Sequence, residues 1–210
     1  MHIPSSFAET RVDVMQTLIQ QHPLGSLVTL DPDGLTGNHL PFELDCTVGE
    51  FGVLRAHVAR NNPFWRSISR DVDALVMFQG PQAYISPGWY PSKAIDGRAV
   101  PTWNYISVHA HGPLRVHDNP EWLRGHLGRL TRTHEASQPV PWRLDEAPAG
   151  YLEQLLTLIV GIEIPIRRLQ GKWKLSQNRS SADREGVIAG LQRQSDAGAV
   201  AVARAVRERS

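Results

Sequence analysis

Apolar residues in this chain recur in two periods, and the changes of period divide it into elements. Val14, Met15, Leu18 and Ile19 return at the spacing of one helical face. Ser6 and Glu9 ahead of them stand at capping-box distance, which predicts a first helix of about three or four turns up to His22-Pro23. SLVTL reads as a strand that closes on the turn sequence Asp31–Pro32–Asp33–Gly34. LTGNHLPFEL resumes it, with Pro41 suited to an edge or a bulge, so residues 27–44 are expected to form a hairpin.

The pattern continues with VLRAHVA as a strand and Asn62-Pro63 as the start of a short helix, PFWRSIS. DALVMF is the most hydrophobic strand, and ISVHAHGPLRVH alternates as the next. Asp118–Asn119–Pro120 then opens a helix with a stripe of Trp122, Leu123, Leu127 and Leu130. A proline-rich connection from Pro139 to Pro148 leads to the helix YLEQLLTL, and IVGIEIPIRRLQGKWKL follows with the two-residue period of a strand. The tail from Ser180 holds two helical segments, DREGVIAGLQRQ and AGAVAVARAVRER. The sum is about six or seven strands in hairpin-like order, without regular β–α–β alternation and without GxGxxG after a strand. An antiparallel barrel with peripheral helices fits this pattern, and a Rossmann fold does not.

Composition changes the picture by exclusion. The 210 residues are 41% hydrophobic and 20% charged with a net charge of +1, which gives no bulk electrostatic case for nucleic acid or a membrane surface. No run approaches the roughly 18 apolar residues of a membrane span. MHIPSSFAETR has neither a basic nor an apolar leader region, so no secretory signal is expected. The single Cys46 excludes an internal disulfide and thiolate-rich zinc modules, and it suits the cytoplasm.

The candidate chemistry lies in three runs. Tyr84 to Gly112 gathers Trp89, Tyr90, Trp103 and Tyr105 with Lys93, Arg98, Asn104, His109 and His111. That mixture is poor core material and good material for a concave site that stacks an aromatic ligand and holds its polar edges. A surface loop rich in Pro and Gly accounts for the same composition. LRAHVARNNPFW puts His57, Arg60, Asn61 and Asn62 at a strand-to-helix junction. This can be a phosphate grip or a helix cap beside a solvated arginine. Gly171 to Arg179, GKWKLSQNR, combines cations, Trp173, Gln177 and Asn178 at a strand end. His109-x-His111 would face one side of a strand with no third ligand in reach, so no metal site is assigned. No serine, nor Cys46, sits in a nucleophile motif.

NHLPF (38–42), LRAHVARNNPFW, AYISPGWYPSK with VPTWNYISVHAHG, and GKWKLSQNR with DREGV (183–187) together closely resemble the PaiB-like FMN-binding proteins. Those proteins are named as negative transcriptional regulators, after a factor that represses protease synthesis and sporulation. The likeness runs from about Pro4 to Leu191 with the motifs in the family's order.

The resemblance implies a mainly β, antiparallel split barrel of the FMN-binding type, related to the pyridoxamine-phosphate oxidases and homodimeric, with FMN between subunits. On that analogy residues 1–178 form the barrel and 179–210 a helical segment packed on it or on the dimer partner. His57, Arg60, Asn61 and Asn62 would grip the FMN phosphate, with Lys93 as a second cation. Trp103, Asn104 and Tyr105 would approach the ribityl chain or the ring. Trp173, Gln177 and Arg179 would reach the isoalloxazine edge, from the same subunit or its partner. The regulatory role implies DNA or a partner protein, although the chain shows no helix-turn-helix signature and no basic stripe. The competing expectation is an FMN-dependent oxidoreductase acting on a small molecule.

Overall fold

The computed structural model describes residues 1–209. The chain forms two compact units, one from residues 1–18, 79–109 and 170 onward, the other from residues 19–78 and 110–169.

In the second unit, β2 (Leu24–Asp31) and β3 (Gly34–Pro41) form the expected hairpin, paired in register from Leu24 opposite Pro41 to Asp31 opposite Gly34. Gly34 carries the turn at φ 123°, where a side chain would be strained. The Asp31 carboxylate accepts the Asp33 N–H at 3.0 Å and the Thr36 hydroxyl at 2.5 Å. The first residues of β6 (Ala74–Ile85) pair with β2, giving the order β6-β2-β3 with Pro41 closing the edge strand. A second antiparallel sheet has the order β4 (Glu43–Asp45), β5 (Val53–Ala59), β9 (Ile159–Pro165), β8 (Arg115–His117).

Register in this sheet sorts chemistry from core. Leu54, Ala56 and Val58 face the interior opposite Ile164, Ile162 and Val160, all with at most 4% exposure. The intervening positions set Arg55 opposite Glu163 and His57 opposite Gly161 on the other face. Of the helices, α2 (Phe64–Ser67) is one turn, shorter than the sequence suggests. In α4 (Pro120–Glu135) the Asn119 side chain accepts the N–H groups of Glu121 and Trp122. Leu123 packs with Leu152 and Leu156 of α5 (Tyr151–Leu156) in a small separate core.

The first unit has the strand order β1 (Ala8–Glu9), β10 (Arg168–Lys174), β7 (Thr102–Gly112), and then the far part of β6. The residues expected as one strand from Ile159 are two, β9 and β10. The inward phase of β6 changes between Gly80 and Ala83, where Pro81 has no N–H to give the ladder. α1 (Val12–Gln21) starts later than the capping-box spacing implies. Ala8 and Glu9 pair with Lys172 and Gly171 of β10, and the Glu9 carboxylate serves Arg11 and Arg209 instead of a helix end. Burial raises the Glu9 pKa, but the hydrogen bonds from the two guanidiniums outweigh it and leave the group at about 2.

After β7 and β10 come α6 (Ser181–Gln192) and α7 (Ala197–Glu208), packed on each other. Ser180 caps α6 by accepting the Asp183 N–H at 3.2 Å. Ala199, Val202, Ala203 and Val206 make the buried stripe of α7, at helical spacing. Between β6 and β7 runs a loop with a short helix, α3 (Lys93–Asp96). A Cβ at Gly190 would fall 2.2 Å from the Trp89 indole, and one at Gly186 only 2.0 Å from the Trp89 carbonyl. Two missing side chains on α6 thus seat Trp89. Among the described residues, no helix is long and apolar enough to cross a membrane.

Candidate functional site

The first unit holds a cleft of about 160 Å³ lined by Phe7, Tyr90, Val100, Pro101, Thr102, Asn104, Lys174, Ser176, Asn178 and Arg179. Its walls come from the start of β7, the end of β10 and the loop around Tyr90. The loop is fixed from below, because the buried Asp183 of α6 accepts the Ser92 N–H at 3.0 Å and the Ser92 hydroxyl at 2.8 Å. The other wall is fixed by Asn104, 1% exposed, whose amide donates to the Ser176 hydroxyl at 2.9 Å. Ser176 adopts φ 63°, the one described non-glycine residue in the left-handed region. Such a conformation persists where its surroundings over-determine it, and such positions cluster at ligand clamps.

Two cations face this cleft. The Lys174 ammonium donates to the Thr102 hydroxyl at 2.5 Å and the Trp103 carbonyl at 2.6 Å. Burial pulls its pKa below the ordinary lysine range, and the charge of Lys172 pulls it further. The Arg179 guanidinium lies 4.7 Å from the centre of the Tyr90 ring. A partly desolvated ammonium beside other cations gains from an anion, so the donor set suits a phosphate. At this volume the cleft takes a phosphate or one edge of a ring, since pockets for whole ligands run to about 300–1,000 Å³.

The other expected residues of this unit take different places. Gln177 closes its own turn, accepting the Leu175 N–H at 2.7 Å and donating to the Trp173 carbonyl at 2.5 Å. Trp173 is 6% exposed and lies under Arg209, whose guanidinium is 5.5 Å from the ring centre. Trp103 is half exposed and meets Tyr84 edge to face at 6.1 Å. Tyr105 lies on the same outward side of β7, with the Lys172 ammonium 5.2 Å from its ring centre. Lys93 is exposed at the start of α3. Thus of the seven expected residues here, Asn104 and Arg179 line the cleft. Tyr90, named in the first of the runs singled out from sequence, lines the cleft too, while Lys174 and Ser176 stand in the third run but were not picked from it.

In the second unit the expected phosphate grip is engaged internally. Arg60 is a clamp whose guanidinium pairs with both oxygens of Asp118 and donates to the carbonyls of Thr157 at 2.6 Å and Ile159 at 3.0 Å. Four of its five N–H donors are taken, which leaves little for a phosphate. Asn62 donates to Asn38 at 2.9 Å and accepts the Phe64 N–H at 3.3 Å, while Asn61 is exposed in the turn. His57 Nδ1 lies 3.2 Å from His126 Nε2. Burial lowers the His57 pKa to about 4, with the neighbouring His126 adding to the effect. Arg60 and His57 Nδ1 thus have partners within this unit.

His111 Nδ1 lies 3.0 Å from Arg168 Nη2. Among the described residues, no group of three or more His, Cys, Asp or Glu side chains is placed to hold a metal ion.

Two antiparallel sheets, of orders β1-β10-β7-β6-β2-β3 and β4-β5-β9-β8, together with the helices make a mixed β/α protein whose fold is like that of flavin-binding proteins of known structure. The fold matches the FAD and heme binding protein from Mycobacterium smegmatis with a TM-score of 0.60 at 17% identity, over 87% of this chain and 80% of that one. It matches the flavocytochrome Anf3 from Azotobacter vinelandii with a TM-score of 0.62 at 9% identity, over 88% and 78%. Residues 1–168 match the family described as "Putative FMN-binding domain", and the chain belongs to that family. It is 32% identical over 209 aligned residues to the protease synthase and sporulation protein PAI 2 of Bacillus subtilis, covering 100% of this chain and 98% of that protein. It is 34% identical over 244 aligned residues to the Emericella nidulans protein AN0679, covering 100% and 97%.

Proposed function

We propose that this protein binds FMN and acts as a flavin-responsive regulator of the PaiB-like kind. The observation that carries the FMN reading is the pairing of Lys174 and Arg179 on one cleft, with the ammonium short of a counter-charge. Lys174 and Arg179 would hold the phosphate, and Asn104 would act through Ser176 by fixing the backbone between them. When bound, FMN supplies a redox-active ring and a yellow chromophore. The regulatory part rests on the 32% identity to PAI 2, and it makes the protein's own DNA or partner contacts the readout of FMN binding.

The test is a visible absorption spectrum of the purified protein followed by titration with FMN and with riboflavin. Saturable FMN binding in the micromolar range with a shifted flavin band is expected, and Arg179→Ala should weaken FMN more than riboflavin. No saturable binding overturns the reading. A gel shift of target DNA that changes with FMN supports the regulator, whereas turnover of NADH by the loaded protein without any such shift favours the oxidoreductase.

A further inference from the structure

The proline-rich connection after α4 encloses a cleft that the flavin reading does not use. About 330 Å³ lies between Gly128, Thr131 and Arg132 of α4 and residues 142–145, all within the second unit. Acidic side chains hold the connection in place. The Glu135 carboxylate accepts the Trp142 N–H at 3.0 Å, and the Glu146 carboxylate accepts the Arg143 N–H at 2.9 Å. Asp145 pairs with Arg143 through two bonds, from Nε at 2.9 Å and from Nη2 at 2.8 Å. Gly128 keeps the space open. A Cβ there would already stand 3.6 Å from the Leu144 side chain and 3.5 Å from Arg132 Nη1, so any longer side chain would enter the cleft.

The charges on this cleft do not cancel. Arg143 and Asp145 neutralise each other, whereas the exposed Arg132 guanidinium makes no hydrogen bond or ion pair among the described residues. Its five N–H donors are therefore open to a ligand. The facing wall is apolar, made by Leu144 and the half-exposed Trp142, whose ring meets no other ring among the described residues. A guanidinium fork takes both oxygens of a carboxylate, and an indole face takes a flat ring. One free cation beside one aromatic wall thus complements a single carboxylate joined to an aromatic body. The volume lies at the low end of small-molecule pockets, about 300–1,000 Å³, which limits that body to about one or two rings.

We propose that this cleft binds a small aromatic carboxylate, with Arg132 as its charge partner, Trp142 as its stacking wall and Gly128 as the gap that admits the ring. The site shares no residue with the cleft of Lys174 and Arg179, and it does not rest on the flavin reading.

The experiment titrates the full chain with 2-naphthoate, its uncharged amide 2-naphthamide, and acetate, read by calorimetry and by backbone amide NMR shifts. Saturable naphthoate binding with a Kd of roughly 0.1–1 mM is expected, with naphthamide at least about fivefold weaker and acetate not saturating over the same range. The shifts should centre on residues 128–132 and 142–145. Arg132→Gln puts a good helix former at an exposed position, and it should weaken naphthoate roughly five- to tenfold while leaving naphthamide unchanged. Gly128→Leu favours the helix and fills the gap, so it should block both probes. Equal affinity for the acid and the amide in the wild type overturns the proposal, as do shifts centred elsewhere or no saturation by naphthoate up to about 10 mM. So does an unchanged naphthoate affinity in either variant. The comparison of acid with amide in the wild type stands whatever a substitution does to folding.

Discussion

The Asn104 amide donates to the Ser176 hydroxyl at 2.9 Å, and the same hydroxyl lies 3.3 Å from the Asn104 carbonyl oxygen. A hydroxyl can accept one bond and donate another, so the pair closes on itself inside the unit, with Asn104 at 1% and Ser176 at 4% exposure. It ties β7 to a backbone position at φ 63° that L residues rarely adopt. Asn104→Leu keeps the volume and leaves the Ser176 hydroxyl buried without its partner. The expected cost is about 1–3 kcal/mol in urea unfolding with an unchanged slope. Since Lys174 and Ser176 line the same cleft, FMN affinity should fall in parallel. An unchanged midpoint would mean that the turn holds its conformation without Asn104.

Arg60 gives a prediction of the opposite kind. Its bonds to Asp118 and to the carbonyls of Thr157 and Ile159 tie the end of β5 to the approach to β9. Arg60→Ala is therefore expected to lower stability by about 1–3 kcal/mol and to leave FMN affinity within about twofold. A large loss of FMN affinity at unchanged stability would restore Arg60 to the phosphate site.

His57 sets a pH dependence whose sign follows from its lowered pKa. Burial, and then His126, take it from 6.5 to about 4, so the unfolded chain binds the proton more readily than the folded one. Stability is complete above pH 6.5 and is lost as the pH falls from 6.5 toward 4, by an amount on the order of 2–3 kcal/mol. Carboxylates with lowered pKa values, Glu9 and Asp45 at about 2, act at lower pH, from the ordinary carboxylate range downward. Denaturant unfolding between pH 7 and 4 should show this slope in the wild type and a shallower one in His57→Asn. Equal slopes would assign the pH dependence to other groups.

The sequence alone carried the local structure and the family. Alternation and turn chemistry located the β2–β3 hairpin and β5, and helical spacing with an asparagine cap located α4, because these signals lie within one element. The uncommon runs NHLPF, LRAHVARNNPFW and GKWKLSQNR pointed to the PaiB-like FMN-binding proteins, in line with the match of residues 1–168 to the FMN-binding domain family and the full-length 32% identity to PAI 2. Tertiary structure decided what each side chain does with its donors. Nothing local distinguishes an arginine free for phosphate from Arg60, whose partners lie 58 to 99 residues away. Nor could spacing show that His57 meets His126, 69 residues on, and Glu43 beyond it, or that Gly186 and Gly190 exist to seat Trp89. A hydrogen bond or a close contact depends on angstrom-scale geometry between distant segments, and that is fixed only when strand register and helix packing bring them together.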